Sequence, residues 1–250
     1  MKRNRVWITH NKEKREKMKT LFITGLLVSS ITGIASADLL YSQGFEDVDS
    51  LGGQYADTGD FAVDHWLSNN EGEAAVNGDG FNAWYGSTGG VGLTDGDYVG
   101  VTDYAGTVGA WYEGAQGYQM SDTDGIMELH FDGYEGYADT VSLAIFIQST
   151  GWESADNISM HWGDSDLGGG ALFDTTGQDI DDLDIEGAWM FMEFDISDAG
   201  PGHFHIRFES NSGSEAIFID SVSIMGAAVP APGALALLGL AGLASRRRRK

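Results

Sequence analysis

The sequence predicts an all-β protein, a two-sheet β-sandwich of jelly-roll type, and three features carry that expectation. Short runs with an apolar residue at every second position recur through residues 38–226. Between them fall clusters of Gly with Asp, Asn and Ser, which mark turns. Of the 36 Gly, 31 lie in this stretch, against a single Pro, Pro201. No apolar period of 3.6 residues appears there, so no amphipathic helix is expected.

The elements follow in chain order. Gly44-Phe45-Glu46-Asp47 lies in or just after a first strand. Met127, Leu129 and Phe131 alternate, as do Val141, Leu143, Ile145 and Ile147. Ile158, Met160 and Trp162 form a third apolar face, and Met190, Met192, Phe194 and Ile196 a fourth. Phe204, Ile206 and Phe208 form a fifth, and Ala216–Met225 is a last apolar strand with Asp220 inside it. Successive side chains of a strand point to opposite faces, so each run is expected to have a core side and a wet side. No internal repeat or linker divides residues 38–226, which read as one domain.

Both ends read as addresses. Met18-Lys19-Thr20, an apolar run from Leu21 to Ile34 and Ala35-Ser36-Ala37 form the pattern of a secretory signal peptide, assigned to residues 1–37 with translation starting at Met18. Residues 227–250 hold Val229-Pro230-Ala231-Pro232, a short apolar segment from Ala234 to Ala244, and Arg246, Arg247, Arg248, Arg249 and Lys250. The basic end is expected to stay cytoplasmic and leave the domain outside. This layout resembles the PEP-CTERM sorting tail of exported bacterial proteins, with Ala231 where that family most often has Glu. The resemblance implies export machinery and an exosortase-type membrane protease as partners. It also implies a transient inner-membrane anchor through a short transmembrane helix, and a destination in the cell envelope or extracellular matrix.

Charge excludes one class of partner. Thirteen of the 14 Lys and Arg lie in the two ends. Residues 38–226 carry 36 acids against Arg207, a formal charge of −35. Phosphate binding needs Lys and Arg, so nucleic acid is excluded for the folded part. The chain has no Cys, so an exported domain must be held by core packing or a bound ion.

Four constellations could carry chemistry. The first pairs Glu46 with Asp220, an acid at each edge of the domain. Gly44-Phe45-Glu46 and Ile219-Asp220-Ser221-Val222 resemble the opening and closing strands of galactose-binding-like jelly rolls found in carbohydrate-binding modules. The resemblance implies a structural Ca2+ held by Glu46 and Asp220. Calcium takes carboxylate oxygens, and such an ion would tie first strand to last.

The second is His203, His205, Arg207 and Glu209, which alternation puts on one side of one strand. His-x-His can chelate a transition metal, and the spacing to Glu209 resembles the cupin metal motif. Its preceding Gly and its second half are missing. Crowded carboxylates favour protonated His, so these residues read as cations among acids. The third is Glu193-Phe194-Asp195-Ile196-Ser197-Asp198, similar to the catalytic strand of laminarinase-like glycosidases, with Asp198 in place of a second Glu. Retaining hydrolysis needs two carboxyl groups about 5 Å apart.

The fourth is aromatic: Trp66, Trp84, Tyr85, Trp111, Tyr112, Tyr118, Trp152 and Trp189. Period two places Trp189, Phe191, Glu193 and Asp195 on one wet face, and Trp111-Tyr112 lies in a Gly-rich stretch. Aromatic faces beside carboxylates suit sugar rings. The Asp-rich segments 95–97, 122–125, 164–166 and 179–184 fit no twelve-residue calcium loop and read as turns.

No Ser/His/Asp or Cys/His set, phosphate loop or cofactor fingerprint is present. The sequence therefore points to an exported, non-enzymatic surface or matrix protein that binds an extracellular polysaccharide. The alternatives are an extracellular glycosidase using Glu193 and a second acid, and a purely structural surface protein. Crowded carboxylates predict that the melting temperature rises with ionic strength, and rises further with Ca2+ than with chelator. A flat salt dependence, or identical melting with Ca2+ and chelator, would remove the corresponding expectation.

Overall fold

The computed structural model describes residues 37–49, 64–86, 92–94, 96–163 and 170–226. Residues 1–36 and 227–250, where the signal peptide and the sorting tail with Val229–Pro232 and Arg246–Arg249 are expected, lie outside the described residues. The described residues form twelve strands: β1 (Leu39–Gln43), β2 (His65–Trp66), β3 (Asn82–Gly86), β4 (Tyr98–Thr102), β5 (Gly117–Ser121), β6 (Ile126–Gly136), β7 (Thr140–Ile147), β8 (Asn157–Gly163), β9 (Gly170–Asp174), β10 (Trp189–Asp195), β11 (Gly202–Glu209) and β12 (Ala216–Met225). They form two antiparallel six-stranded sheets. The first has the order β10-β7-β12-β5-β4, with β1 also paired to β12; the second has the order β2-β3-β6-β11-β8-β9.

The period-two runs supply the core. Met127, Leu129 and Phe131 of β6 face inward beside Phe204, Ile206 and Phe208 of β11 and Ile158, Met160 and Trp162 of β8. Val141, Leu143, Ile145 and Ile147 of β7 meet them from the first sheet with Ile217, Ile219, Val222 and Ile224 of β12. Met190, Met192 and Phe194 of β10 pack against the same core, partly buried because β10 is an edge strand. Just after β1, Phe45 adopts φ +62°, unusual for a bulky residue, and that turn drops its ring between the sheets against Phe81, Tyr118 and Phe131.

The expected wet sides differ from what is seen. Ser142, Ala144 and Phe146 on the outer face of β7 are also buried. A segment between β4 and β5 lies over this face: Val108 and Trp111 pack on Phe146 and Phe218, with Trp189 against them. On the second sheet, Glu128, His130 and His205 of the outer face are buried too. The alternation is as expected, but flanking strands and a loop cover the central strands on the outside. Among the Asp-rich segments, residues 179–184 form a short 3-10 helix, Ile180–Leu183, capped by Asp179, which accepts the amide of Asp181.

Another group of acids is buried at the start of two strands. Glu153, Asp156 and Glu215 converge where β8 and β12 begin, with Asp156 and Glu215 almost fully covered. Burial, and then the charges of Asp156 and Glu153, push Glu215 up to about 7. Asp156 is raised to about 6, by burial first. The folded state therefore holds the Glu215 proton more tightly than the unfolded chain does. Its stabilising share is full below the normal Glu range and is lost as pH rises through about 7. Glu215→Gln should raise the melting temperature at pH 8 and leave it unchanged at pH 4; equal shifts at both values would contradict the assignment. In the core, Phe131→Ala should cost about 3–5 kcal/mol in denaturant unfolding, since it empties the space between Phe45 and Phe204.

Candidate functional site: a cleft beside the interrupted last strand

The last strand changes partners midway. β12 pairs with β5 from Ala216 to Ile219 and with β1 from Val222 to Met225, while β7 runs along its other side. At the handover the register slips between Asp220 and Ser223, and Ser221 takes φ +51°. A bulge of this kind re-aims side chains. Asp220 stays on the outer face beside Phe218 and is fully buried under residues 111–116. Its Oδ2 accepts the amide of Glu113 at 2.8 Å, and Oδ1 accepts that of Ser221 at 2.6 Å. Ser221 Oγ donates to the Glu113 carboxylate. Burial foremost, then the charges of Glu113 and Glu46, raises Asp220 to about 6 against the pull of those two amides.

Glu46 is the counterpart after β1. Its Oε1 accepts the amides of Ala115 at 2.8 Å and Gln116 at 3.1 Å. Gln116 answers from its side chain, donating to the carbonyls of Phe45 and, at 2.6 Å, Val48. Gly114 lies between these anchors with φ +64°, and a Cβ there would stand 2.0 Å from Glu46 Oε1. Only Gly lets the backbone pass so close. The sequence paired Glu46 with Asp220, and the structure puts both against the same segment, residues 113–116. The backbone amides of that segment fill part of each carboxylate's capacity, and Glu113 joins them as a third acid.

Beside these anchors opens a cleft of about 690 Å³. Tyr112 and Phe191 form one wall, with ring centroids 6.3 Å apart and planes within 18° of parallel. They are 48% and 54% exposed. Trp189 lies behind them, 6.0 Å from Tyr112, and donates from Nε1 to the carbonyl of Ala110 at 2.8 Å. Trp111 is largely buried and touches Trp189 and Phe218, so it supports the wall rather than facing the cleft. The polar lining includes Gln43, Glu46, Asp47, Glu113, Ser142 and Ser223. The two hydroxyls pair with each other at 2.8 Å.

Of the residues singled out in the sequence, Trp111, Tyr112, Trp189 and Phe191 come together. Glu193 and Asp195 share the outer face of β10 with them but are exposed beyond the cleft lining. Asp195 accepts the amide and hydroxyl of Ser197, and these bonds hold its carboxyl below the usual range. Glu113, Ser142 and Ser223 were missed. Glu113 carried one signal, adjacency to Trp111-Tyr112; the two serines carried only their alternation with core residues.

The His203 strand face is also as alternation predicts, but its electrostatics are not. His205 is driven down to about 3, by burial first and then by the charges of His130 and His161. The expectation of protonated imidazoles among acids fails for His205 because neighbouring strands supply further imidazoles and exclude water. Glu128 sits among them, 3.0 Å from His130 Nε2 and 3.8 Å from Arg207. Burial opposes its charge, yet the His130 hydrogen bond, the neighbouring imidazoles and Arg207 hold it below the usual Glu range.

No family model matches the sequence, and neither does any curated protein. Among solved structures, the chain is similar to the K2 cleaved adhesin domain of Lys-gingipain, with 12% identity and a TM-score of 0.39 over 74% of this chain and 98% of that one. It is similar to the family 11 carbohydrate-binding module from Clostridium thermocellum, solved in complex with a β-1,3-1,4-mixed-linked tetrasaccharide. That match has 14% identity and a TM-score of 0.36 over 65% and 95% of the two chains. A family 28 module described as specific for non-crystalline cellulose gives 14% identity and a TM-score of 0.34 over 59% of this chain and 87% of its own.

Proposed function

We propose that this is an exported, non-enzymatic binding protein whose cleft beside Tyr112 and Phe191 takes a neutral carbohydrate chain. The near-parallel, half-exposed pair of rings at the cleft wall carries the reading. A sugar ring offers C–H patches to an aromatic face and hydroxyl groups to flanking acceptors. Here the acceptors are Glu113 and Asp47, and Ser142 and Ser223 both donate and accept. Trp189 and Trp111 keep the wall rigid, which lowers the ordering cost of binding. The formal charge of −35 over residues 38–226 repels anionic polymers, so the preferred chain is uncharged. The signal peptide and sorting tail would deliver the domain through the export machinery and an exosortase-type protease to the envelope or matrix. A structural Ca2+ would be drawn to the pair Glu46 and Asp220, since Asp220 is buried with acids and no base among the charges that act on it.

Affinity electrophoresis of the full-length chain through gels containing a neutral β-glucan or polygalacturonate tests the reading. Retardation should occur in the neutral gel alone. Tyr112→Ala and Phe191→Ala should each weaken it about tenfold with little change in melting temperature, because both rings are half exposed. Equal retardation of variants and wild type would overturn the site. Glu193→Gln should leave binding intact; release of reducing sugar that this variant abolishes would replace the binding reading with the glycosidase.

A further inference from the structure

The second sheet carries a cluster the binding reading does not use. β11 lies between β6 and β8, and the register sets His205 directly opposite His130 on one side and His161 on the other. The three imidazoles stack, His205 lying 5.1 Å from His130 and 5.1 Å from His161 between centroids, with the planes within 12°. His203, two residues before His205, shares this outer face and reaches His130, with Nε2 3.1 Å from His130 Nδ1. The β6–β11 ladder jumps from Phe204 opposite Phe131 to Gly202 opposite Gly136. Residues 132–135 thus fall out of register beside His203. Four of the six His of the chain meet on one face.

Three observations turn this cluster into a coordination set. One ring nitrogen from each of His130, His203 and His205 lies within 4.8 Å of the other two. In tetrahedral coordination with bonds of about 2.0–2.1 Å, ligand nitrogens sit about 3.3 Å apart, so only small rotations are needed. Next, Glu128 Oε2 is 3.0 Å from His130 Nε2. That carboxylate fixes the hydrogen on Nε2 and leaves the Nδ1 lone pair facing His203, the arrangement by which a second carboxylate orients a metal-bound His. Finally, His205 Nδ1 is buried with no hydrogen-bond partner among the described residues. A buried polar atom without a partner is costly, and a cation in the cluster adds attraction there.

We propose that His130, His203 and His205 form a binding site for a divalent transition-metal ion of the Zn2+ class, with Glu128 as the positioning residue for His130. Imidazole ligands without thiolate suit Zn2+, Ni2+ or Cu2+, and the chain has no Cys. A cavity of about 430 Å³ opens beside His130 and His203, lined also by Trp66, Asn82, Asp132 and Glu135. It leaves room for water, or one of these acids, at a remaining coordination position.

The test is titration of the untagged full-length chain with Zn2+ in millimolar Ca2+, which occupies the dispersed carboxylates, followed by Co2+ spectroscopy. One tight ion per chain is expected, with the intense visible bands of low-coordinate Co2+. His203→Gln should weaken Zn2+ binding at least about tenfold, and Glu128→Gln about 10–100-fold. His161→Gln, which changes a ring outside the ligand set, should stay within about twofold of wild type. Absence of stoichiometric Zn2+ binding in excess Ca2+ would overturn the proposal, as would unchanged affinity in folded His203→Gln. Should that variant not fold, a weak octahedral Co2+ spectrum from the wild type would overturn it alone.

Discussion

The carboxylate of Asp220 accepts the amide of Glu113 across 107 residues of chain, and the position of the cleft follows from that bond. Asp220 sits where β12 exchanges β5 for β1, so its outer face has no continuous strand neighbour to fill it. Residues 111–116 fill it instead, held at one end by Asp220 and at the other by Glu46. Trp111 then packs on Phe218, and Tyr112 is carried to the rim. A single bulge thus links a break in pairing, a buried acid and an exposed aromatic wall. Losing either carboxylate would release the segment that presents Tyr112, so the wall and the anchors form one unit.

Burial on both faces of the first sheet explains how a domain this acidic holds together. Its inner face meets the other sheet, and its outer face lies under Val108, Trp111 and Trp189. The central strands are therefore apolar on both sides near Phe146 and Phe218, which adds a second, smaller cluster to the main core. The charges are driven to loops and edges, where water screens them. Where acids remain inside, as at Asp220 and Glu215, burial raises their proton affinity, and the domain bears that strain at neutral pH.

What the sequence made legible was whatever one strand decides for itself. Alternation placed Phe131, Ile145, Met160 and Ile206 inside, and put Trp189 and Phe191 on one outer face. What it left out is decided between strands. No spacing within Ile126–Gly136 or Asn157–Gly163 says that His130 and His161 will flank His205; only the register across β6, β11 and β8 does. The expected wet sides were misjudged for the same reason, since a loop from between β4 and β5 covers β7 and β12. Trp111 and Tyr112 are adjacent in sequence yet one is buried and the other exposed, a division set by Phe218 beneath them.

The two outer faces divide the polar chemistry of the domain. Around the cleft the charged side chains are acids, so hydroxyl donors find acceptors there and anions do not. Arg207, the one base between residues 38 and 226, is on the other sheet, near Glu128. That placement matters, because Glu128 would otherwise be a buried charge with only imidazoles for company. The His130 hydrogen bond first, and Arg207 least, hold Glu128 below the usual Glu range against burial, so the carboxylate can orient His130. Placed at the cleft instead, Arg207 would make an anion-binding wall there. Its location on β11 favours a neutral ligand at one face and an ordered imidazole cluster at the other.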